Sequence, residues 1–282
     1  MTVFLVPNIA KPKALHVSAL AAQILFADGV TVLASSETQP QTTLPGYVQY
    51  LPAEQAYQAC DIVVTIGGDG TMLHAARHTL RWQKPMLGIN VGRLGFLTVV
   101  EKDELNKLNR LLKQDYIVEH RTVLQAKSGG AKPFYGLGLN DIVLFKKAAE
   151  NTIELDIYCD EIKVSGFRGD GVVFSTPTGS TAYSMSAGGP IVDASLQATI
   201  VTQICAHIVH TPPMVFAGSR TLRAVPKGGP DEKIFITCDG LESQELCWNE
   251  PVYITQATQT VPLIQFEDAG QLESIDKKLK GR

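Results

Sequence analysis

Between Ser175 and Ser186, eight of twelve residues carry a hydroxyl: Ser175, Thr176, Thr178, Ser180, Thr181, Tyr183, Ser184 and Ser186. Glycines bracket the run at Gly169, Gly171, Gly179, Gly188 and Gly189, and no Lys or Arg occurs between Gly169 and Ser219. Hydroxyls and glycine-exposed amides without a cation bind through neutral hydrogen bonds, which suits a polyhydroxylated or amide-bearing ligand. The plainer account is a turn cluster rich in Ser and Thr. A nucleophilic serine does not fit, because the run contains neither GxSxG nor SxxK.

A second constellation is "TIGGDGTML", Thr65 to Leu73, where an apolar run enters Gly67-Gly68-Asp69-Gly70-Thr71 and then opens a helix-like pattern. Glycines permit a tight turn and close approach of the backbone to a ligand, and a helix N-terminus offers free N–H groups to an anion. A phosphate-binding turn is the natural reading, with Asp69 as a mere helix cap the alternative. It is neither of the two commonest such turns: GxxxxGK[ST] is absent, and Leu73 stands where GxGxxG needs its third glycine. A carboxylate among phosphate-binding amides repels the ligand unless it binds a cation or accepts a proton. Both roles serve phosphoryl transfer.

Three weaker signals accompany these. Asn140-Asp141 in "GLNDIVL" reads first as a turn before a strand, or else as an amide and carboxylate projecting together onto a polar ligand. Phe96 in "NVGRLGFL" follows an apolar run at the end where open α/β sheets bind ligands; it could stack on a base or fill the core. His74 and His78 lie four apart on one predicted helix, where packing or solvent is a better account than a metal because no third ligand is suggested nearby. His207 and His210 read as structural or peripheral.

The elements that position these residues change character along the chain. The first hundred residues alternate apolar runs ("VFLVP", "VTVLAS", "CDIVVTIGG", "QKPMLGIN") with helical patterns, which predicts a largely parallel sheet in an α/β domain. One helix should bury Leu15, Ala19, Ala22 and Phe26; a later one, in "EKDELNKLNRLLKQD", should bury Leu105, Leu108 and Leu112. From Tyr116 onward, short alternating runs joined by Gly, Pro and Asp turns predict a mostly antiparallel β domain. The fold class is therefore α/β plus β, with an N-terminal domain over residues 1–100 and a C-terminal domain over 101–261.

Composition bounds the partners. At 282 residues, 45% hydrophobic and 19% charged, the chain is globular. A net charge of −3 leaves no cationic surface for nucleic acid or membrane, and the basic terminus "DKKLKGR" reads as a solvated tail. Five cysteines, an odd number without CxxC spacing, suggest reduced packing residues. No signal peptide or membrane-length apolar run is visible, so a cytoplasmic location is expected.

In combination these motifs resemble the NAD kinases. The resemblance rests on "GGDGT" (Gly67–Thr71), "GINVGRLGFL" (Gly88–Leu97), "LNDIVL" (Leu139–Leu144), "FRGDGVVFSTPTGSTAYSMSAGGPIV" (Phe167–Val192), "ICAHIVHTPPMVF" (Ile204–Phe216) and "CDG" (Cys238–Gly240). GGDGT alone is shared with diacylglycerol and sphingosine kinases; the hydroxyl-rich motif is far more specific. The resemblance implies transfer of the ATP γ-phosphoryl to the adenosine ribose 2′-hydroxyl of NAD, with Mg²⁺ or another divalent cation, giving NADP. It implies that the chain end, about 262–282, returns to the first domain, and that copies assemble as a homodimer or homotetramer. Asp69 would be the base, with Gly67, Gly68, Gly70 and Thr71 along the phosphates. Asn140 and Asp141 would hold ribose and adenine, where many members have Glu at the second position. Thr181, Ala182, Tyr183 and Ser186 would line the adenosine pocket with Phe96 against the adenine; Asp69 and Gly70 would also face NAD, and Asp170 would lie near the nicotinamide end, of this chain's site or of a neighbouring copy's. Metal ligands, the direction of Arg168, polyphosphate in place of ATP, NADH beside NAD and feedback by NADP(H) stay open. A lipid kinase sharing GGDGT and a non-catalytic NAD(P) sensor are the rival readings.

Overall fold

Apolar runs separated by breakers form parallel strands in the first ninety residues of the computed structural model, which describes all residues except 93–94, 148–151, 208–211, 229–232, 267–274 and 276–282. His210, part of "NVGRLGFL" and the basic terminus lie outside the described residues. The chain divides into two compact units, one of Met1–His120 with the described residues from Thr260 onward, the other of Arg121–Gln259.

In the first unit, β1 (Thr2–Pro7), β2 (Thr31–Ser35), β3 (Gln49–Leu51), β4 (Ile62–Gly67) and β5 (Met86–Asn90) lie in the order β3-β2-β1-β4-β5, every pairing parallel. All residues of β4 and β5 are buried, as expected of central strands covered on both faces. The crossovers are α1 (Pro12–Ala27), α2 (Ala53–Ala59) and α3 (Asp69–Trp82). Two short strands follow, β6 (Val100–Glu101) beside β5 and β7 (Ile117–Arg121) at the sheet edge.

Two helical expectations are corrected. α1 buries Ala14, Val17, Ser18, Ala21, Ala22 and Leu25; Phe26 is 49% exposed and stacks on Tyr47 at 3.8 Å. With many small apolar residues on α1, periodicity alone admits a face rotated by one position, and packing on β1 and β2 decides it. The 105–112 segment is a 3-10 turn (Leu105–Leu108) running into one α turn, α4 (Asn109–Leu112). Leu111 is buried in place of Leu112, which is 37% exposed.

The second unit is two six-stranded sheets, with all pairings antiparallel. β8 (Leu124–Ser128), β9 (Phe134–Gly138), β10 (Asp141–Lys146), β11 (Ile153–Cys159), β12 (Ile162–Gly169), β13 (Gly171–Ser175), β14 (Ala198–Ile204), β15 (Met214–Ala217), β16 (Leu222–Lys227), β17 (Ile234–Cys238), β18 (Ser243–Glu245) and β19 (Val252–Gln256) supply them. The orders are β15-β14-β13-β10-β17-β18 and β12-β11-β16-β19-β8-β9. Inward side chains of both sheets, among them Leu124, Ile142, Leu144, Leu155, Phe167 and Phe174, make one core. The chain then rejoins the first unit through β20 (Val261–Gln265), all five residues buried, which pairs with β5 through Leu263 and Met86. The architecture is the α/β plus antiparallel β class that the patterning predicts. Among the described residues no helix is long and apolar enough to cross a membrane.

Candidate active site

The first unit presents one cluster. β4 ends at Gly67, Gly68 is extended (φ −169°), and α3 starts at Asp69. A Cβ on Gly67 would run into the Thr71 side chain, whereas one on Gly68 or Gly70 would meet nothing within 4 Å. Only the first glycine is demanded by the chain itself; the other two leave open room over the helix N-terminus, where orphan N–H groups and the dipole favour an anion. Asn8, just past β1, braces the turn: its N–H donates to the Ile66 carbonyl (2.8 Å) and its amide to the Thr71 hydroxyl (3.4 Å).

Asp69 is more than a cap. Its Oδ2 accepts the N–H of Phe96 (2.9 Å) and its Oδ1 that of Leu97 (3.1 Å). A Cβ at Gly95 would collide with the same carboxylate, so Gly95 lets the 95–97 backbone close upon it. Each oxygen keeps a lone pair beyond these bonds. Beside it the Thr98 hydroxyl is buried without a hydrogen-bond partner. Phe96 is half-buried.

The second unit presents another cluster, assembled by register. β10 pairs Asp141 with Ser175 of β13 and Ile142 with Cys238 of β17. This brings Asn140-Asp141, Ser175-Thr176 and Asp239-Gly240 to one end of one sheet. A cavity of about 480 Å³ opens there, and Asn140, Asp141, Asp170, Ala182 and Tyr183 line it together with Lys146 and Asp239. Thr181 and Ser186 are not among its lining residues. The Thr181 hydroxyl donates to the Thr178 carbonyl (3.3 Å), and Ser186 is exposed on the turn α5 (Tyr183–Ser186).

Most hydroxyls of the Ser/Thr run are turned inward. Thr176 donates to the Leu139 carbonyl (2.6 Å) and accepts the Gly179 N–H (3.0 Å). Ser180 bridges both backbone groups of Val192 (2.7 and 3.1 Å), and Ser184 bonds Thr202 (2.9 Å). Ser175 donates to the Thr176 carbonyl (2.9 Å), and a Cβ at Gly179 would strike the Asn140 carbonyl. The hydroxyls stitch the loop to β10 and β14, so they shape the pocket more than they fill it.

Charge enters the cavity from elsewhere. Lys146 of β10 pairs with Asp170 at 2.7 Å, so a cation does reach a site whose loop has none. Arg168 lies apart, 65% exposed and paired with Glu154 across β11 and β12 at 3.2 Å. Asp141 is 5% exposed, and its carboxyl is pushed up to about 7, first by burial and then by the charge of Asp239. The Tyr183 hydroxyl is raised as well, chiefly by burial. Asp239 accepts the N–H groups of Leu139 (2.9 Å), Asn140 (2.7 Å) and Asp141 (3.1 Å). Asn8, Lys146 and Asp239 carry no role in the sequence reading. "CDG" was a signal for the last, an Asp-Gly turn ending an apolar run.

His78 stacks on Tyr57 (5.2 Å, 14°), which is a packing role, and burial lowers its pKa. Among the described residues, no three His, Cys, Asp or Glu side chains gather to hold a metal. A magnesium ion that takes its ligands from substrate phosphates and water needs only one or two carboxylates. Asp69 offers one in the open turn, and that donor set fits.

Known proteins resemble the chain over nearly all of it. Residues 3–116 match the ATP-NAD kinase N-terminal domain, and residues 139–266 the ATP-NAD kinase C-terminal domain. An NAD kinase of Moorella thermoacetica is 35% identical over 98% of this chain and 88% of its own length. One of Citrifermentans bemidjiense is 33% identical, covering 97% and 96%. Yeast NADH kinase, solved with NADH, superposes with a TM-score of 0.90 at 24% identity, over 99% of this chain and 87% of that one. An NAD kinase from Archaeoglobus fulgidus, solved with ATP, gives 0.77 at 24% identity with full coverage of both chains. These two show the same fold.

Proposed function

The chain belongs to the NAD kinase family, whose members are phosphotransferases, and on that premise we propose that it transfers the γ-phosphoryl of ATP to the adenosine ribose 2′-hydroxyl of NAD, giving NADP and ADP. The observation that carries this reading is Asp69: a carboxylate oriented by two backbone N–H groups, on a glycine turn that leaves open space above a helix N-terminus. The 2′-oxygen attacks the γ-phosphorus, its proton passes to Asp69, and the bond from that phosphorus to the bridging oxygen breaks as ADP leaves. Asp69 is oriented before substrate arrives, so little reorganisation accompanies the transfer.

Gly67, Gly68, Gly70 and Thr71 line the phosphates in this reading. A divalent cation, Mg²⁺ in the first instance, neutralises developing phosphate charge when bound, with Asp69 as the protein carboxylate nearest to hand. Asn140, Asp141, Ala182 and Tyr183 hold the adenosine of NAD, and Phe96 supplies an aromatic face to it. Asp170, with Lys146, takes the nicotinamide end. Thr181 and Ser186 belong to the loop that shapes the pocket. Of the rival readings, a lipid kinase would need an apolar acceptor site, and a pure sensor gains nothing from a carboxylate beside phosphates. A cytoplasmic location fits five cysteines outside disulfides.

The test is NADP formation from NAD, ATP and Mg²⁺ by the wild type and Asp69→Asn side by side. We expect turnover in the first and a loss of roughly 10²–10⁴-fold in kcat in the second, with NAD affinity largely kept. An equally active variant would remove Asp69 as the base. A wild type that binds NAD but makes no NADP from ATP or polyphosphate would favour the sensor.

A further inference from the structure

Asp239 adopts the left-handed conformation (φ 53°) just past β17 and is followed by Gly240 (φ 66°). Asp tolerates that region better than most residues. The turn sends its carboxylate back onto the start of β10, where it receives three consecutive amides, those of residues 139 to 141. Its own N–H donates to the Asp141 carbonyl at 2.9 Å. Asp141 and Asp239 then line the same cavity.

We propose that Asp239 is a positioning residue for this pocket, pinning the backbone of Leu139–Asp141 and setting the charge with which Asp141 meets a bound nucleotide. The inference rests on reading the pocket as that of NAD. Two carboxylates beside one cavity do not both ionise readily. Three amide bonds favour the anion on Asp239; burial and that neighbouring charge push the Asp141 carboxyl up to about 7, so below that pH Asp141 is the one that keeps its proton. Protonated Asp141 offers an O–H donor to the acceptor atoms of adenosine, its ring nitrogens and ribose oxygens.

Other titratable groups stand around the pair. Lys146 and Asp170 are paired with one another at 2.7 Å, and Tyr183 is shifted toward its neutral form. On the strands beside β10, β13 carries no ionisable group and β17 carries Cys238. On β8 and β9, Lys127 lies over the Tyr135 ring at 5.5 Å. Cys205 follows β14.

The experiment is calorimetric titration of the whole chain with NAD from pH 5.5 to 9, on the wild type, Asp141→Asn and Asp239→Asn, beside an assay of NADP formation. Wild-type affinity should stay level to about pH 7 and then weaken by up to about tenfold per unit. Asp141→Asn keeps a donor at every pH; it should match the wild type at pH 6 and bind about tenfold or more tightly than it at pH 9. Asp239→Asn should move the onset down by roughly one unit and raise KM for NAD more than it lowers kcat.

A wild type with pH-independent affinity, an Asp141→Asn protein already weakened at pH 6, or an Asp239→Asn protein weakened equally at all pH values would each overturn the inference. If Asp239→Asn does not fold, the comparison of Asp141→Asn with the wild type still decides whether Asp141 acts as a donor. A wild type that makes no NADP and binds no NAD at any pH brings down the assignment of the pocket, and this inference with it.

Discussion

Gly67 and Gly68 stand side by side yet answer to different demands. An alanine at 67 would press on Thr71, whereas alanines at 68 and 70 meet nothing. Gly67→Ala should therefore lower stability by roughly 1–3 kcal/mol as well as activity. Gly68→Ala and Gly70→Ala should leave the urea midpoint nearly unchanged while raising KM for ATP several-fold, since the added methyls would occupy only the open space in which the proposed phosphates lie. Wild-type KM values in both would take the phosphates away from this turn. At this scale the local motif was legible: a strand, a glycine turn and a helix are consecutive in the chain, and so is Asp69. Asp239 was not legible, because its three bonds join residues 98 to 100 positions apart. The same holds for the hydroxyl run. Its composition suggests ligand contacts, but only the packing shows that Thr176, Ser180 and Ser184 are spent on holding the loop in place.

Among the elements, β20 has the largest consequence for its length. Its five residues are all buried, and it lies between β5 and β7 in the sheet of the first unit. Ending the chain after Gln259 removes Val261, Leu263 and Ile264 from that unit, each a side chain whose burial contributes about 1.5–3 kcal/mol. The truncated protein should lose the first unit's cooperative transition, seen as a drop in helical circular dichroism at a temperature where the full chain is folded. An unchanged melting curve would mean that β20 is dispensable. Strand character is readable in the alternating run "PVYITQATQTVPLIQF", but that run reads as part of the antiparallel domain, and only the fold puts its end beside β5. The α1 face was not readable, since Ala and Leu on several sides of that helix give periodicity too little contrast to choose between adjacent orientations.

For the molecule as a whole, the resemblance to the NAD kinases implies an assembly of two or four copies, and we propose the same for this chain. Light scattering should give a mass of two or four times 30.5 kDa. A monomer at assay concentration would contradict it. The sequence by itself determined the fold class and the family, because strand and helix periods, glycine turns and ordered motifs are properties of neighbouring residues. It also placed Asp69 on its turn and Asn140-Asp141 ahead of a strand. Tertiary structure decided which carboxylate anchors which backbone, which hydroxyls remain for a ligand, and that Lys146 rather than the loop brings a cation to Asp170. Those outcomes depend on strand register and burial, which sum interactions between residues far apart in the chain and leave no mark in any local stretch of it.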